Sequence, residues 1–332
     1  MSMLRSLPLM AKTVLLPANR KAALNAYKTI VQTRNYATRA GFRRARMETG
    51  TKMSLKERLL SPTTGKPYAI GQLALGVGAA AGVAGLCVYG LGLGSEAGAI
   101  DKYGIWPSYV RNRLHATYAY LGGSLALTAG AGVAASRSPL LLRLASGNSL
   151  MAVFGSIALV IAAGTAVRSI PYDSWGAKHA MWVAHAGLLG CLLAPLCVLG
   201  GPLLIRAAWL TAGMVGGLSA VAVCAPSEQF LSWTGPLAMG LGVVLVATIG
   251  ANFLPPTSVA GAGLYSIAIY GGLLLFGAML LMETQRAIKS AEALPPHYTF
   301  DPINAQVGIY MAVLNIFIRM ASIVGMGGNR RK

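Results

Sequence analysis

The chain has 332 residues, of which 55% are hydrophobic, 41 are glycine and only 11% carry charged side chains. Soluble domains carry roughly 25% charged residues, so this composition excludes a soluble enzyme and indicates a protein that lies in a bilayer. The net charge is nevertheless +19, and it is uneven: residues 1–66 contain 14 Lys/Arg and 2 Asp/Glu, whereas the remaining 266 contain 14 and 7. The sequence therefore divides into a basic N-terminal segment and an apolar body.

Residues 1–36 are predicted to be a cleaved mitochondrial presequence. No acidic residue precedes Glu48, and basic, hydroxylated, acid-poor segments are typical of such presequences. Cleavage between Tyr36 and Ala37, in a segment that resembles the site of the matrix processing peptidase, would leave 37–66 as a basic matrix-facing segment. The alternative is an arm that binds nucleic acid or a membrane surface, because basic runs bind any polyanion. An arm of that kind gains little from attachment to a polytopic body, so we expect no nucleic-acid partner.

Charge-free windows in the region 67–328 predict eight transmembrane helices. A helix needs about 20 residues to cross the hydrocarbon core, whereas the strands of a barrel would alternate over about ten. The window 229–282 is too long for one crossing, and the segment 252–256 divides it because proline disfavours helix in the residue before it. The windows are 73–94, 116–136, 144–167, 180–205, 207–227, the two halves of 229–282, and 302–328.

The placement of Lys and Arg predicts that both termini, including the tail 329–332, lie in the matrix. That orientation puts 14 basic residues on the matrix side and 7 on the other, as the positive-inside rule requires. The acids of the body then fall on the intermembrane-space side, where they could gather cations, although ordinary loop charges would give the same pattern. These acids are Glu96, Asp101, Asp173, Glu228, Glu283, Glu292 and Asp301.

The body contains no P-loop, G-x-S-x-G or H-E-x-x-H motif, so neither an enzyme nor a cofactor is predicted. His179 and His185 are six residues apart and do not share a helical face, which argues against a zinc site. His185 is an intramembrane ionisable group and hence a candidate site, with a neutral, hydrogen-bonded core histidine as the ordinary interpretation. The cysteines lie in the spans without a C-x-x-C pair and are interpreted as small hydrophobes: Cys87, Cys191, Cys197 and Cys224.

Glycines at four-residue spacing are typical of helices whose backbones approach closely in lipid. Three such pairs occur, Gly78/Gly82, Gly90/Gly94 and Gly213/Gly217.

The stretch 279–319 contains the charged residues of greatest interest. Glu283 closes the seventh span, where a carboxylate can hold a proton or a divalent cation, or can pair with Arg286 as an interfacial charge. Asp301 precedes Pro302 and is expected to be the N-cap of the eighth span. Arg319 lies within that span and is expected to pair with a carboxylate or to snorkel to the matrix surface.

Several segments of the body match a known family. They are Ile105-Trp106-Pro107, Val167–Asp173, Gly200–Trp209, Cys224–Glu228, Phe253–Thr257, Asp301–Asn304 and the tail Gly327–Lys332. In these segments the chain resembles the transmembrane Bax inhibitor motif family, and within it the mitochondrial member. The resemblance implies an all-α bundle of seven helices around a central C-terminal helix, here preceded by one extra span at 73–94.

The resemblance also implies a place in the mitochondrial inner membrane and a role in calcium/proton exchange or calcium leak, cristae maintenance and restraint of cytochrome c release. The implied partners are the bilayer, calcium ions, protons, and inner-membrane proteins or further copies of the chain. We expect Glu283, Asp301 and Arg168 to take part in transport or gating, with Glu283 as a calcium ligand.

The signature of the family is a pair of aspartates that share a proton and gate the pore. The first falls on Glu283, which keeps the carboxylate, and the second falls on Ala312, which cannot titrate. A gate of two coupled carboxylates therefore cannot form as the family pattern describes. Either Glu283 works with another group, such as Asp301, or transport is altered or lost. The alternative function is a non-transporting membrane protein that maintains cristae and the mitochondrial network through protein contacts.

Overall fold

The computed structural model describes residues 55–62, 65–91, 98–147, 149–226, 228–255 and 257–328. Residues 1–59 and 60–332 form two units, and the described part of the first lies in the short helix α1 (Leu55–Leu60). Several parts of the prediction lie outside the described residues: the presequence with its cleavage site at Tyr36 and Ala37, most of segment 37–66, Glu96 and the tail 329–332.

The described residues of the second unit form helices joined by turns and loops, and they contain no β-strand. Its helices are α2 (Lys66–Gly90), α3 (Ala99–Lys102), α4 (Ser108–Ser136), α5 (Pro139–Ala145), α6 (Leu150–Ser169), α7 (Trp175–Leu193), α8 (Gly201–Cys224), α9 (Thr234–Phe253), α10 (Val259–Ser266), α11 (Gly272–Ala293) and α12 (Pro302–Gly328). A 3-10 segment, Ala194–Leu199, follows α7, another, Leu231–Trp233, precedes α9, and a π-helical turn, Ile267–Gly271, joins α10 to α11.

The count of membrane spans agrees with the sequence prediction. The described residues contain seven helical stretches long and apolar enough to cross a membrane, or eight if α4 and α5, which meet at a bend of 111°, form one span. The predicted division of the long window is confirmed, because α9 ends at Phe253 and α10 begins at Val259. The side chain of Ser258 caps α10 by accepting a hydrogen bond of 3.0 Å from the amide of Gly261.

The C-terminal helix α12 occupies the centre of the bundle, where it packs against α4, α6, α8 and α11. Half of its span is buried, as is 56% of the α10–α11 span, whereas none of the α2 span is buried. Helix α2 packs on α8, α10 and the π-helical turn. The architecture expected from the resemblance, a seven-helix bundle with one additional N-terminal helix, is therefore confirmed.

Two helix boundaries differ from the charge-based prediction. The prediction placed Lys178 in a loop and used Arg206 as a boundary, but α7 begins at Trp175 and Arg206 lies inside α8. The chain turns between these spans at Gly200, whose φ of +97° favours glycine. Lys178 lies in the first turn of α7 and is fully buried, so its charge does not mark an exposed loop.

Lys178 connects three helix ends in the bundle. Its Nζ donates to the carbonyls of Val167 (2.8 Å) and Ile170 (2.9 Å) where α6 ends. It also donates to Asn304 Oδ1 (2.9 Å) and pairs with Asp301 Oδ2 (2.6 Å) where α12 begins. The last carbonyls of a helix have no partner within it, and buried carbonyls need one, so this ammonium supplies the missing donors.

Arg113 of α4 does the same for the end of α11. Its Nη1 donates to the carbonyls of Ala291 (3.1 Å) and Leu294 (2.5 Å), and its Nη2 donates to those of Pro295 (2.9 Å) and Tyr298 (3.2 Å). The guanidinium thus holds the loop between α11 and α12 against α4, which fixes the start of the central helix.

We expect Lys178→Met to lower the free energy of unfolding by about 3 kcal/mol, because removing one partner of a buried ion pair leaves the other uncompensated. Unfolding of the purified protein in detergent micelles measures this loss. Lys289→Met is the matched control, because the pair of Lys289 with Glu228 is exposed on both sides and exposed pairs contribute little. Equal stability of the two variants would contradict a structural role for the buried pair.

Candidate functional site

The candidate site is the contact line between α11 and α12, called here the seam. Two close approaches define it. The carboxylate of Glu283 on α11 fills the space that a Cβ on Gly308 of α12 would need, and the guanidinium of Arg319 on α12 fills the corresponding space at Gly272 of α11. On each helix the two positions are separated by eleven residues, about 16 Å along the axis. The seam therefore carries one negative and one positive side chain near its opposite ends.

Glu283 is largely withdrawn from the surface, with 13% of its side chain exposed. Its Oε1 accepts a hydrogen bond of 2.9 Å from Nη1 of Arg286, which lies one turn along α11. The predicted pairing of these two residues is thus confirmed. Among the described residues, Arg286 is the residue that forms an ion pair with this carboxylate. A mostly buried carboxylate keeps its charge only while such a partner stays close.

Asp301 caps the central helix, as predicted. Its Oδ1 accepts a hydrogen bond of 2.9 Å from the amide of Asn304, and α12 begins at Pro302. Its Oδ2 is engaged with Lys178. Gly308, where the Glu283 carboxylate lies, follows Asp301 by two turns of helix, about 10 Å. Asp301 therefore lies at the N-terminal end of the central helix, and the Glu283 carboxylate contacts that helix about two turns further along.

Arg168 lies in the last turn of α6, beside the start of α12. Its carbonyl accepts a hydrogen bond of 3.3 Å from the side-chain amide of Asn304. Of the three residues predicted for transport or gating, Arg168 and Asp301 both contact Asn304, whereas no ion pair joins either of them to Glu283 within the described residues.

Ala312 lies on α12 one turn beyond Gly308, so it follows the Glu283 carboxylate along the central helix. It is buried among apolar side chains that include Phe276 and Leu280 of α11. A carboxylate at this position would face Glu283 across about one helical turn. The native alanine leaves Glu283 as the acid of the seam within the part of the chain that the structure describes.

Arg319 corrects a prediction. No carboxylate pairs with it among the described residues, and it is buried instead of reaching the surface. Its Nε donates to the carbonyl of Ala268 (3.0 Å), its Nη1 donates to Asn315 Oδ1 (2.9 Å), and its guanidinium stacks on the ring of Phe276. The physical reason is the π-helical turn Ile267–Gly271, because such turns disturb the helical hydrogen-bond ladder and leave a carbonyl that a guanidinium can bind.

His185 lies in the bundle core beside Tyr310, with 6.1 Å between the ring centroids. Its predicted burial is confirmed, but the predicted hydrogen bond is wrong: neither ring nitrogen has a hydrogen-bond partner within the described residues. The hydroxyl of Tyr310 is bonded to Oγ1 of Thr128 at 2.5 Å. For the polar contacts of α12 the sequence did contain a usable signal, because Asn304, Asn315 and Arg319 recur on one face of that helix.

Gln285 was missed by the sequence analysis, although it follows Glu283 by two residues. Its Oε1 accepts from the amide of Phe230 (2.9 Å), and its Nε2 donates to the carbonyls of Pro226 (2.7 Å) and Ala222 (3.3 Å). It therefore satisfies the end of α8 and fixes the part of α11 that carries Glu283.

Other acids of the body lie at loops and helix ends and have partners. Trp106 donates to Glu292 (2.6 Å), the amide of Gly98 donates to Asp101 (3.0 Å), and Lys289 pairs with Glu228 (2.5 Å). The hydrogen bond and charge of Lys289 hold the pKa of the exposed Glu228 carboxyl below its usual range. These contacts satisfy much of the negative charge that the sequence analysis considered for gathering cations.

A metal ion at the seam would have few carboxylate ligands. In the described part of the chain, no cluster of three or more His, Cys, Asp or Glu side chains could hold a metal ion. Calcium takes six to eight oxygen ligands, so Glu283 would supply one carboxylate beside carbonyls, amides or water. The four cysteines are free thiols.

Replacing glycine by alanine inside a helix normally raises stability by about 1 kcal/mol. We expect Gly308→Ala not to show this gain, because the added methyl group displaces the Glu283 carboxylate. Gly325→Ala is the control on the same helix, since its Cβ would lie 4.0 Å from Leu203 in ordinary contact. Melting temperatures in detergent compare the two variants, and an equal rise in both would show that Glu283 does not occupy the space at Gly308.

Comparisons with known proteins agree with this architecture. The family model described as "Inhibitor of apoptosis-promoting Bax1" matches residues 110–330. The chain is 49% identical over 309 residues to the growth hormone-inducible transmembrane protein of Rattus norvegicus, covering 91% of this chain and 89% of that protein. It is also 29% identical over 133 residues to a BI1-like protein of Arabidopsis thaliana, covering 39% of this chain and 47% of that one. No solved structure gives a significant match. The chain belongs to the transmembrane Bax inhibitor motif family of multi-pass helical membrane proteins.

Proposed function

We propose that this protein exchanges calcium for protons, or lets calcium leak, across the mitochondrial inner membrane, with Glu283 as the gating carboxylate. The observation that carries the proposal is the burial of an ionisable carboxylate in the contact between the two most buried spans of the bundle. Acidic residues inside membrane spans are expensive and generally mark ion or proton pathways.

The surroundings of Glu283 suit exchange. A carboxylate holds either a proton or a cation, so the two ligands compete for the same oxygens. Arg286 pairs with the Glu283 carboxylate, and a divalent cation that reaches this carboxylate must displace or outweigh the arginine. Gating in this proposal is the exchange of Arg286 for the cation at Glu283.

The location and orientation belong to the same proposal. A basic leader cleaved between Tyr36 and Ala37 would direct the chain to the mitochondrion, and the excess of Lys and Arg would place both termini in the matrix. Restraint of cytochrome c release and cristae organisation would then follow from control of matrix calcium or from contacts with other inner-membrane proteins.

We expect Glu283→Gln to reduce calcium efflux from proteoliposomes roughly tenfold or more. The glutamine keeps the size of the side chain but removes the charge, and a charge-assisted interaction of about 1.5–3 kcal/mol corresponds to at least this factor. Glu228→Gln is the control, because Glu228 is exposed outside the spans and its loss should leave the flux unchanged. Equal fluxes from the Glu283→Gln variant and the natural chain would remove Glu283 from the mechanism.

The alternative is a non-transporting membrane protein that maintains cristae and retains cytochrome c through protein contacts. Two observations favour it: the alanine at position 312, and an apolar cavity of about 680 Å³ between α2, α8 and α11 that several glycines line. Gly213 and Gly217 of α8 face no neighbouring atom there, and small residues of this kind let helices associate in lipid. Deletion of the protein that changes cristae but leaves matrix calcium kinetics unchanged would favour this alternative over transport.

A further inference from the structure

We propose that the apolar cavity between α2, α8 and α11 binds one acyl chain of a membrane phospholipid, with the lipid headgroup at the end lined by Tyr89, Gln229 and Trp233. The proposal is independent of calcium transport. It concerns the additional helix α2, which lies outside the region 110–330 that the family model matches. The cavity therefore forms where this chain adds a span to the family bundle.

Helix α2 is attached to the bundle near both of its ends. Near its start, the hydroxyl of Ser266 donates to the carbonyl of Pro67 (2.7 Å), and a Cβ on Gly71 would overlap the ring of Tyr270. Near its other end, Tyr89 packs on an apolar cluster formed by α8, α9 and α11. The cavity opens along the middle of α2, between these two attachments.

Glycines give the cavity its width. A Cβ on Gly82 or Gly85 of α2 would lie 3.7–3.9 Å from the nearest side chain of α8. On α8, a Cβ on Gly213 or Gly217 would meet no described atom within 4 Å. All four glycines line the cavity, so their missing side chains leave space between the helices instead of bringing the backbones into contact.

The dimensions of the cavity fit a hydrocarbon chain. Its wall on α2 extends from Leu75 to Tyr89, a length of about 21 Å along the helix axis. A volume of about 680 Å³ over that length gives a mean cross-section of about 30 Å². A helix with its side chains is roughly 10–12 Å wide, which is a cross-section on the order of 80–110 Å². A helix of a partner protein is therefore too wide for this space, whereas an acyl chain is a single file of methylene groups.

The chemistry of the wall gives the direction in which the lipid binds. All three helices belong to candidate membrane spans, and none of the α2 span is buried, so bilayer lipid reaches the cavity. The wall is apolar except at one end, where Gln229 is exposed and the side chains of Tyr89 and Trp233 lie. Tyr and Trp gather at the level of the lipid headgroups. The acyl chain therefore enters from this end and leaves its headgroup outside.

The first test measures how much phospholipid the full chain retains after reconstitution in phosphatidylcholine and repeated detergent exchange. The natural chain is expected to retain a single phosphatidylcholine molecule. Gly217→Leu should reduce this retention roughly tenfold or more, because the leucine takes the place of several methylene groups of the acyl chain. Gly216→Leu is the matched control, because Gly216 is the exposed neighbour of Gly217 on α8 and lies outside the cavity wall. Equal retention in the two variants, or no retained lipid in the natural chain, would overturn the proposal.

The second test needs no variant, so it does not depend on how Gly217→Leu folds. The natural chain is reconstituted with phosphatidylcholine that carries a diazirine at the end of one acyl chain, and it is irradiated after detergent exchange. The label is expected to attach at the end of the cavity far from Trp233, where Leu75 and Met320 lie. Attachment confined to outward-facing residues of α2 such as Val77, which is 63% exposed, would overturn the proposal, as would a cross-link between two copies of the chain through the cavity wall. Calcium flux is not measured in either test, so the transport function stands or falls separately.

Discussion

The structure depends on one constraint: a backbone carbonyl buried at a helix end is shielded from water and must find its hydrogen-bond donor in the protein. The helices of this bundle end or change pitch at several buried points, and a side chain from another helix or turn reaches each of them. Lys178 binds the end of α6, Arg113 the end of α11, Gln285 the end of α8 and Arg319 the π-helical turn before α11. The contacts of Arg113, Gln285 and Arg319 join residues more than 50 positions apart, so the same hydrogen bonds that satisfy the backbone also hold the bundle together.

This constraint also explains why the bundle can keep charge in its centre. Lys178, Arg113 and Arg319 are buried. Backbone carbonyl oxygens accept most of their hydrogen bonds, so Arg113 and Arg319 have no carboxylate partner among the described residues. Glu283 lies in the seam, where Arg286 pairs with it. Glycine at 308 and at 272 allows α11 and α12 to approach while each accommodates the charged side chain of the other.

The sequence predicted the number of spans and the break before α10 because both depend on local properties, hydropathy and proline. It also predicted the N-cap of α12 and the contact of Glu283 with Arg286, since these join residues three positions apart. It failed at Lys178 and Arg206, where charge was taken as the mark of a helix end, and at Arg319, where a carboxylate or the surface was expected. In those places the partner is a backbone carbonyl, which every residue possesses and which hydropathy therefore cannot reveal.

By itself the sequence determined an all-helical membrane body that follows a basic N-terminal segment. It also determined that an acid stands at position 283 and an alanine, Ala312, at the position of the second acid. These properties depend only on composition and residue identity. Only the tertiary structure decided which groups meet: Glu283 with Gly308, Arg319 with the carbonyl of Ala268, and Lys178 with Asp301. Side chains on different helices come together because the helices pack and because buried carbonyls at helix ends need hydrogen-bond donors. Those contacts span more than a hundred residues in some cases, and no local pattern encodes them.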